Sequence, residues 1–476
     1  MDNAQTHPEV AIPLPKAKKN MVQIGCICLM LSVAMYGLVF ATLTGPILES
    51  VDAPGYVSLF SIVGAIGVSI MIPIGGKLGD LTGRRNIVVI PGMICALSGI
   101  AFAFVRSLWP LMLLRLLVSL AQGAFTSAPY IIVGQIHERK DVPKAMGMLA
   151  TAVAAGGFGG SIVAAALADL GLLKLAILTP VVPLAAGVVL IGVNLPNQRR
   201  EDKVPIDVPG IIALTTALCG ILLALDFGST LGWNRAPILA GFGIGIAALA
   251  VLLVVERRAS EPLIPLELFR NKNYAVLLAV SFICFFYQIA MNVYAPIGAL
   301  QVMGSNATAA GSLQMPRTII TIFLPAIAGT WVGKKRENTW KAMALGALLI
   351  ALPMAAMGFT SPHTSIFVYF TALAVTGIAE SFRSVSVTPA AQATLKPQDL
   401  GVGTALVNFV SSLSQTISAA VCGAAYNMRI AKDPKDIGNI QAGVNTVFWL
   451  AAVVSAAGFL LVLFVVRRQM SKTKYK

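Results

Sequence analysis

Apolar runs of twenty or more residues follow one another along nearly the whole chain, separated by short polar or basic breaks. A run of about 20 such residues crosses the hydrocarbon core of a bilayer as a helix. In lipid a backbone has to satisfy itself, and a continuous apolar run does so as a helix. Fourteen spans are expected, at about 21–47, 55–75, 87–105, 108–135, 144–168, 172–194, 207–227, 237–255, 275–303, 308–333, 341–360, 364–393, 401–427 and 444–467. The fold class is therefore all-α integral membrane. At 57% hydrophobic and 12% charged, the 476 residues leave no room for an inserted soluble domain.

The net charge of +15 would suit a nucleic-acid binder, but its placement does not. The basic residues sit in alternate loops and form no basic face, so no nucleic-acid partner is expected. With the N-terminus in the cytoplasm, the outer loops hold only Arg106, Lys174, Arg235, Arg429, Lys432 and Lys435 out of 35 Lys and Arg. Arg115, Arg317 and Arg383 lie inside spans, and all others fall on the inner side. Positive residues stay inside, so both termini are expected in the cytoplasm and the chain in the cytoplasmic membrane. The first run is too long for a cleaved signal peptide. The six cysteines all lie in apolar runs without CxxC spacing, which argues against disulfides and a metal site. His7, His137 and His363 lie outside the spans, so no histidine relay is expected in the core.

Two basic turns organise the chain. The first runs from Gly76 to Asn86 and holds one acid, Asp80, among Lys77, Arg84 and Arg85. A degraded copy runs from Gly329 to Arg336, with Gly333 where the acid would be. They follow spans two and ten. Without spans seven and eight, each occupies the same place in a six-helix half, the pattern of a duplicated transporter. The expected divisions are a cytoplasmic tail 1–20, a six-helix bundle 21–194, a two-helix insert with flanking loops 195–274, a second bundle 275–467 and a tail 468–476. The loop from Glu256 to Arg270 mixes charged and apolar residues and suits a segment along the membrane surface.

The stretch from Gly76 to Arg85 resembles the signature loop of the major facilitator superfamily, Gly-x-Leu-small-Asp-x-x-Gly-Arg-Arg. Asp207-Val-Pro-Gly210, Gly232-Trp233, the Glu256 loop, Gln122-Gly123, and Pro316 after Gly311 resemble the fourteen-helix drug:proton antiporter branch. The resemblance implies a major-facilitator fold with two six-helix halves and a two-helix insert. The sequence departs from the branch at Leu81, where the signature has Arg, and at Ser119, where span four has Arg. The glycine run Ala155 to Gly160 lacks the branch's proline, and Gly37 stands near the place of a first-span acid.

Charges inside a bilayer cost about 2.5–3.5 kcal/mol each on insertion scales, so each needs a reason. The family implies a cavity lined by spans one, four, nine and twelve. The intramembrane candidates there are Arg115 and Gln122 on span four; Tyr287, Gln288, Asn292 and Tyr294 on span nine; and Glu380 and Arg383 on span twelve. Glu380 reads equally as a proton carrier and as a structural partner of Arg383, three residues on and on the same face. Protonating it would free Arg383 to meet an anion. Asp226, ending span seven, is a second candidate for proton exchange, though its place suits an interfacial cap. Arg115 suits a substrate carboxylate, since a guanidinium binds one in a fork; snorkelling to the surface is its plainer reading. Arg317, off the main lining, reads first as structural and second as a ligand. Gly76, Asp80, Gly83, Arg84 and Arg85 form the candidate gate. The family implies that Asp80 also contacts the start of a helix near Gly401, latching one state closed. The glycines of the turn are expected to bring spans two and three together. Those from Gly156 to Gly160 favour helix contact.

No nucleotide loop, metal cluster or nucleophile–base pair is visible, so neither a cofactor nor an enzyme is expected. The expected function is proton-coupled transport of a small amphipathic organic molecule by alternating access. The resemblance favours efflux by antiport. The missing first-span acid and the intramembrane arginines favour proton-coupled uptake of an organic anion, a bile-acid-like carboxylate among them, as some fourteen-helix relatives perform. A non-transporting sensor or scaffold is the remote alternative. A monomer is expected, with protons, substrate and lipid as partners.

Overall fold

The computed structural model describes residues 12–53, 56–138, 140–197, 207–259, 262, 267–305, 307–396, 399–430 and 436–472. Among them, fourteen helices are long and apolar enough to cross a membrane. They run Lys16–Glu49, Leu59–Thr82, Arg84–Phe102, Leu108–Ile136, Val142–Asp169, Leu173–Asn194, Val208–Leu225, Ala236–Arg258, Lys272–Val302, Met315–Lys334, Arg336–Met357, Ile366–Gln392, Leu400–Ile430 and Ile437–Met470, and are called spans 1 to 14 below. Asn306, the first residue of an Asn-Ala-Thr glycosylation sequon, residues 198–206, and residues 260, 261 and 263–266 of the loop from Glu256 to Arg270 lie outside the described residues; Glu267–Arg270 of that loop is a short helix.

The chain groups into two compact units. The first comprises Met1–Ile206, Pro325–Lys335 and Ala391–Leu406; the second comprises Asp207–Leu324, Arg336–Ala390 and Val407–Lys476. Within each, small residues set how closely the helices approach. Without a hydrophobic drive between helices in lipid, close backbone packing does this work. In the first unit a Cβ on Gly67 would stand 2.8 Å from Cβ of Ser119, and one on Gly123 would stand 3.0 Å from Cα of Val68, so spans 2 and 4 touch along their length. Gly156 and Gly160 seat Leu31 and Met35 of span 1 in the same way, the helix contact expected of that run. In the second unit a Cβ on Gly220 would lie 2.7 Å from the Gly241 carbonyl oxygen, which packs spans 7 and 8 as a hairpin.

The two insert motifs prove to be structural. Asp207 caps span 7, accepting from the Gly210 amide at 2.9 Å. Gly232 turns the hairpin at φ +98°. Trp233 then lies on Gly228 and stacks on Phe242 at 6.4 Å.

Among the described residues five spans are irregular; spans 4, 6, 9 and 12 each carry a proline there, while span 14 takes a π turn at Val462–Val466 without one. A proline ring strikes the carbonyl four residues back and removes a donor. Span 4 breaks at Ser127, just before Pro129, and span 12 breaks after Ser384, ahead of Pro389. Span 9 absorbs Pro296 by widening into π turns at Ala290–Tyr294 and Gly298–Val302.

Candidate functional site

The candidate residues fall into three groups. The first, in the second unit, is centred on Glu380 of span 12. Arg383, one turn on, donates from Nε to Glu380 Oε2 at 3.3 Å and pairs through its terminal nitrogen with Oε1. Tyr287 of span 9 donates its hydroxyl to Oε2 at 2.9 Å. Arg317 of span 10 brings a terminal nitrogen to 4.0 Å from the same oxygen. The Arg383 guanidinium lies 3.9 Å from the Phe285 ring centroid, a cation–π contact. Glu380, Arg383 and Arg317 side chains retain only 17%, 11% and 18% exposure.

Backbone packing explains why Arg317 arrives there. Gly377, one turn before Glu380, faces the Arg317 backbone, and a Cβ on it would stand 2.8 Å from the Arg317 carbonyl oxygen. Spans 10 and 12 therefore nearly touch, and the arginine reaches the carboxylate. From sequence Arg317 lies off the main cavity lining; in the structure it stands beside this pair. Two guanidinium groups on one carboxylate leave an excess positive charge. Arg317 Nε is buried and has no hydrogen-bond partner among the described residues. Such a site can receive an anionic or strongly polar acceptor.

The other span 9 candidates separate. Tyr294 packs on the Tyr426 ring at 5.2 Å, Gln288 is half-buried, and Asn292 is exposed on the first π turn. Met291, between them, offers its carbonyl to the Gln314 amide at 3.0 Å. The Asp226 side chain lies outside the described residues.

The second group, in the first unit, surrounds Arg115. Its guanidinium carbon lies 4.2 Å from the Phe40 centroid and 5.0 Å from that of Phe60, and the head rests on Gly64. Its Nε is buried without a hydrogen-bond partner among the described residues. Aromatic faces thus stand where a carboxylate would. Gln122 on the same span is buried, and its amide donates to the Val33 carbonyl of span 1 at 3.1 Å. That bond makes Gln122 a tie between spans rather than a free donor.

The third group is the basic turn, also in the first unit. Asp80 pairs with Arg84 and accepts from the Val402 amide at 3.0 Å, at the start of span 13. The expected contact near Gly401 is present, and a carboxylate at a helix N-terminus gains from the free N–H groups there. Gly83 turns the chain at φ +96°, with the Asn197 side chain where a Cβ would be. Asn197 also donates to the Thr82 carbonyl at 3.2 Å. Arg85 is exposed. Gly79 does bring span 3 close, since a Cβ on it would stand 3.2 Å from Cγ2 of Ile87, but Gly76 faces Ala405 of span 13 instead. At the degraded copy, Gly333 lies against the Lys140 carbonyl oxygen, so a backbone approach occupies the place of the acid.

The sequence model of the Major Facilitator Superfamily matches residues 25–419. The chain belongs to this family. Among its relatives, this facilitator is 23% identical over 416 residues to the multidrug transporter protein MdtP of Bacillus subtilis, covering 87% of this chain and 76% of the relative. It is 24% identical over 409 residues to the quinolone resistance protein NorB of Staphylococcus aureus, covering 83% and 84%. The solved structure of the human organic anion transporter MFSD10 (TETRAN) has the same fold, with a TM-score of 0.66 over 94% of this chain and all of that one, at 14% identity. This facilitator is a multi-pass membrane transporter, not an enzyme.

Proposed function

We propose that this facilitator is a proton-coupled exporter of amphipathic small organic molecules. It works by alternating access in the cytoplasmic membrane, with both termini in the cytoplasm. The observation that carries the reading is the Glu380 cluster, one partly buried carboxylate answering to Arg383, Arg317 and Tyr287. A carboxylate so placed links proton and substrate, because each changes what the other finds. An ionised Glu380 holds the guanidiniums and can accept from a donor group on the substrate. A neutral Glu380 releases them. Export by antiport follows when the substrate binds the ionised form and a proton displaces it. The relatives named for multidrug transport and quinolone resistance support export.

A second reading has its own support. Two guanidiniums for one carboxylate favour an anionic cargo. Proton uptake by Glu380 would then accompany anion binding, giving uptake with protons. Proteoliposomes with an imposed pH gradient and a panel of anionic, neutral and cationic amphiphiles separate the two. Export requires flux opposite to the proton flow; anion uptake requires flux along it and only for anions. Absence of gradient-dependent flux for every class would overturn both.

A further inference from the structure

We propose that the first unit carries a binding site for an anionic phospholipid, separate from the Glu380 cluster. A cavity of about 580 Å³ opens where spans 1 and 3 end and spans 4 and 6 begin. That volume is in the range of a ligand pocket. Its walls are apolar, with Phe102, Leu111 and Ile177 buried along them. Two cations complete the lining, Arg106 and Lys174, and no acid lines it among the described residues. The nearest acids in sequence, Glu49 and Asp52 on the span 1 side and Asp169 two residues before Gly171, are exposed and outside the lining.

The lining matches one chemistry, an acidic headgroup on an apolar tail. Lys174 stands over Phe104, its ammonium 5.3 Å from the ring centroid. Phe104, Leu172 and Leu175 are 59%, 43% and 52% exposed and form an apolar rim. A water-soluble anion gains nothing from that rim, whereas a lipid tail does. The cavity also sits at the ends of four spans, the level at which headgroups lie. The two basic groups would hold the phosphate, with one acyl chain along Phe102 and Leu111. A lysine or arginine near acidic lipid contributes enough that losing both should cost about tenfold or more in binding.

The test uses the full-length protein purified in detergent and exchanged into nanodiscs of phosphatidylglycerol and phosphatidylcholine in equal parts. Native mass spectrometry then counts the lipid retained on release. The wild type should retain phosphatidylglycerol over phosphatidylcholine by about tenfold or more. The double variant Arg106→Gln/Lys174→Gln, at exposed positions, should keep its fold and lose that preference. Equal preference in wild type and variant would overturn the proposal. So would retention without regard to headgroup, which would reduce the two cations to interfacial anchors. A third arm adds glycerol 1-phosphate, a free headgroup: it should leave retention unchanged. Full displacement would assign the site to a soluble anion and contradict the lipid.

Discussion

Gly377 decides whether Glu380 has one guanidinium or two. Its missing side chain brings the Arg317 backbone against span 12, and a Cβ there has no room. Gly377→Val should therefore push span 10 away, cost about 1–3 kcal/mol as overpacking does, and alter transport beyond that loss. Thermal unfolding and flux on the same preparation check this; unchanged flux with lowered stability would reduce Gly377 to packing alone. The pairing of Glu380 with Arg383 was legible in the sequence, since residues three apart share a helix face. The arrival of Arg317 and Tyr287 was not, because it depends on helix contacts that bring together residues 63 and 93 positions from Glu380 in sequence. Residue type alone also does not reveal that the Gln122 amide donates to the Val33 carbonyl. Arg115 makes its own prediction. Arg115→Ala should weaken transport of anionic cargo far more than of neutral cargo if the guanidinium meets substrate. Equal losses for both would mean that its role is to fill the Phe40–Phe60 cage.

At the scale of elements, the fourteen spans were readable because lipid imposes length and apolarity at once. The irregularities within them were less so. A proline signals a disturbance but not its form: spans 4 and 12 break, while span 9 takes π turns. The basic turn was readable as an element and only partly in its packing, since Gly76 meets span 13 and not span 3. Its acid does double duty, holding Arg84 and the Val402 amide. Asp80→Asn keeps the shape and strands a buried guanidinium. Removing one partner of a buried pair costs on the order of 3–5 kcal/mol. Thermal unfolding should show a loss of that order, and a change below about 1 kcal/mol, the level of an exposed pair, would contradict the latch. The end of span 4 supplies a pH dependence. Burial lowers the pKa of His137 and the Lys19 charge adds to this, against its bond to the Val133 carbonyl at 3.2 Å and the nearby Asp141. With the folded-state value below the unfolded one, His137 favours the folded chain above its ordinary pKa. That contribution fades as pH falls through the folded value. The stability advantage of wild type over His137→Gln should thus shrink from about pH 8 to about pH 5. An advantage that grows on acidification would reverse the sign.

For the molecule as a whole, the Major Facilitator fold supplies the transport machine, and the proposed coupling rests on the charges within its spans. The expensive groups are few. In the second unit they converge on one carboxylate. In the first, Arg115 rests between two rings and carries no acid partner among the described residues. In the proposed function, proton coupling falls to Glu380 and cargo recognition to the guanidiniums around it. The most direct test is flux through Glu380→Gln in proteoliposomes, with and without an imposed pH gradient. The carboxamide keeps the shape and cannot exchange a proton. Gradient-driven accumulation should vanish while exchange of cargo across equal pH persists. Accumulation that responds to the gradient as the wild type does would contradict the assignment.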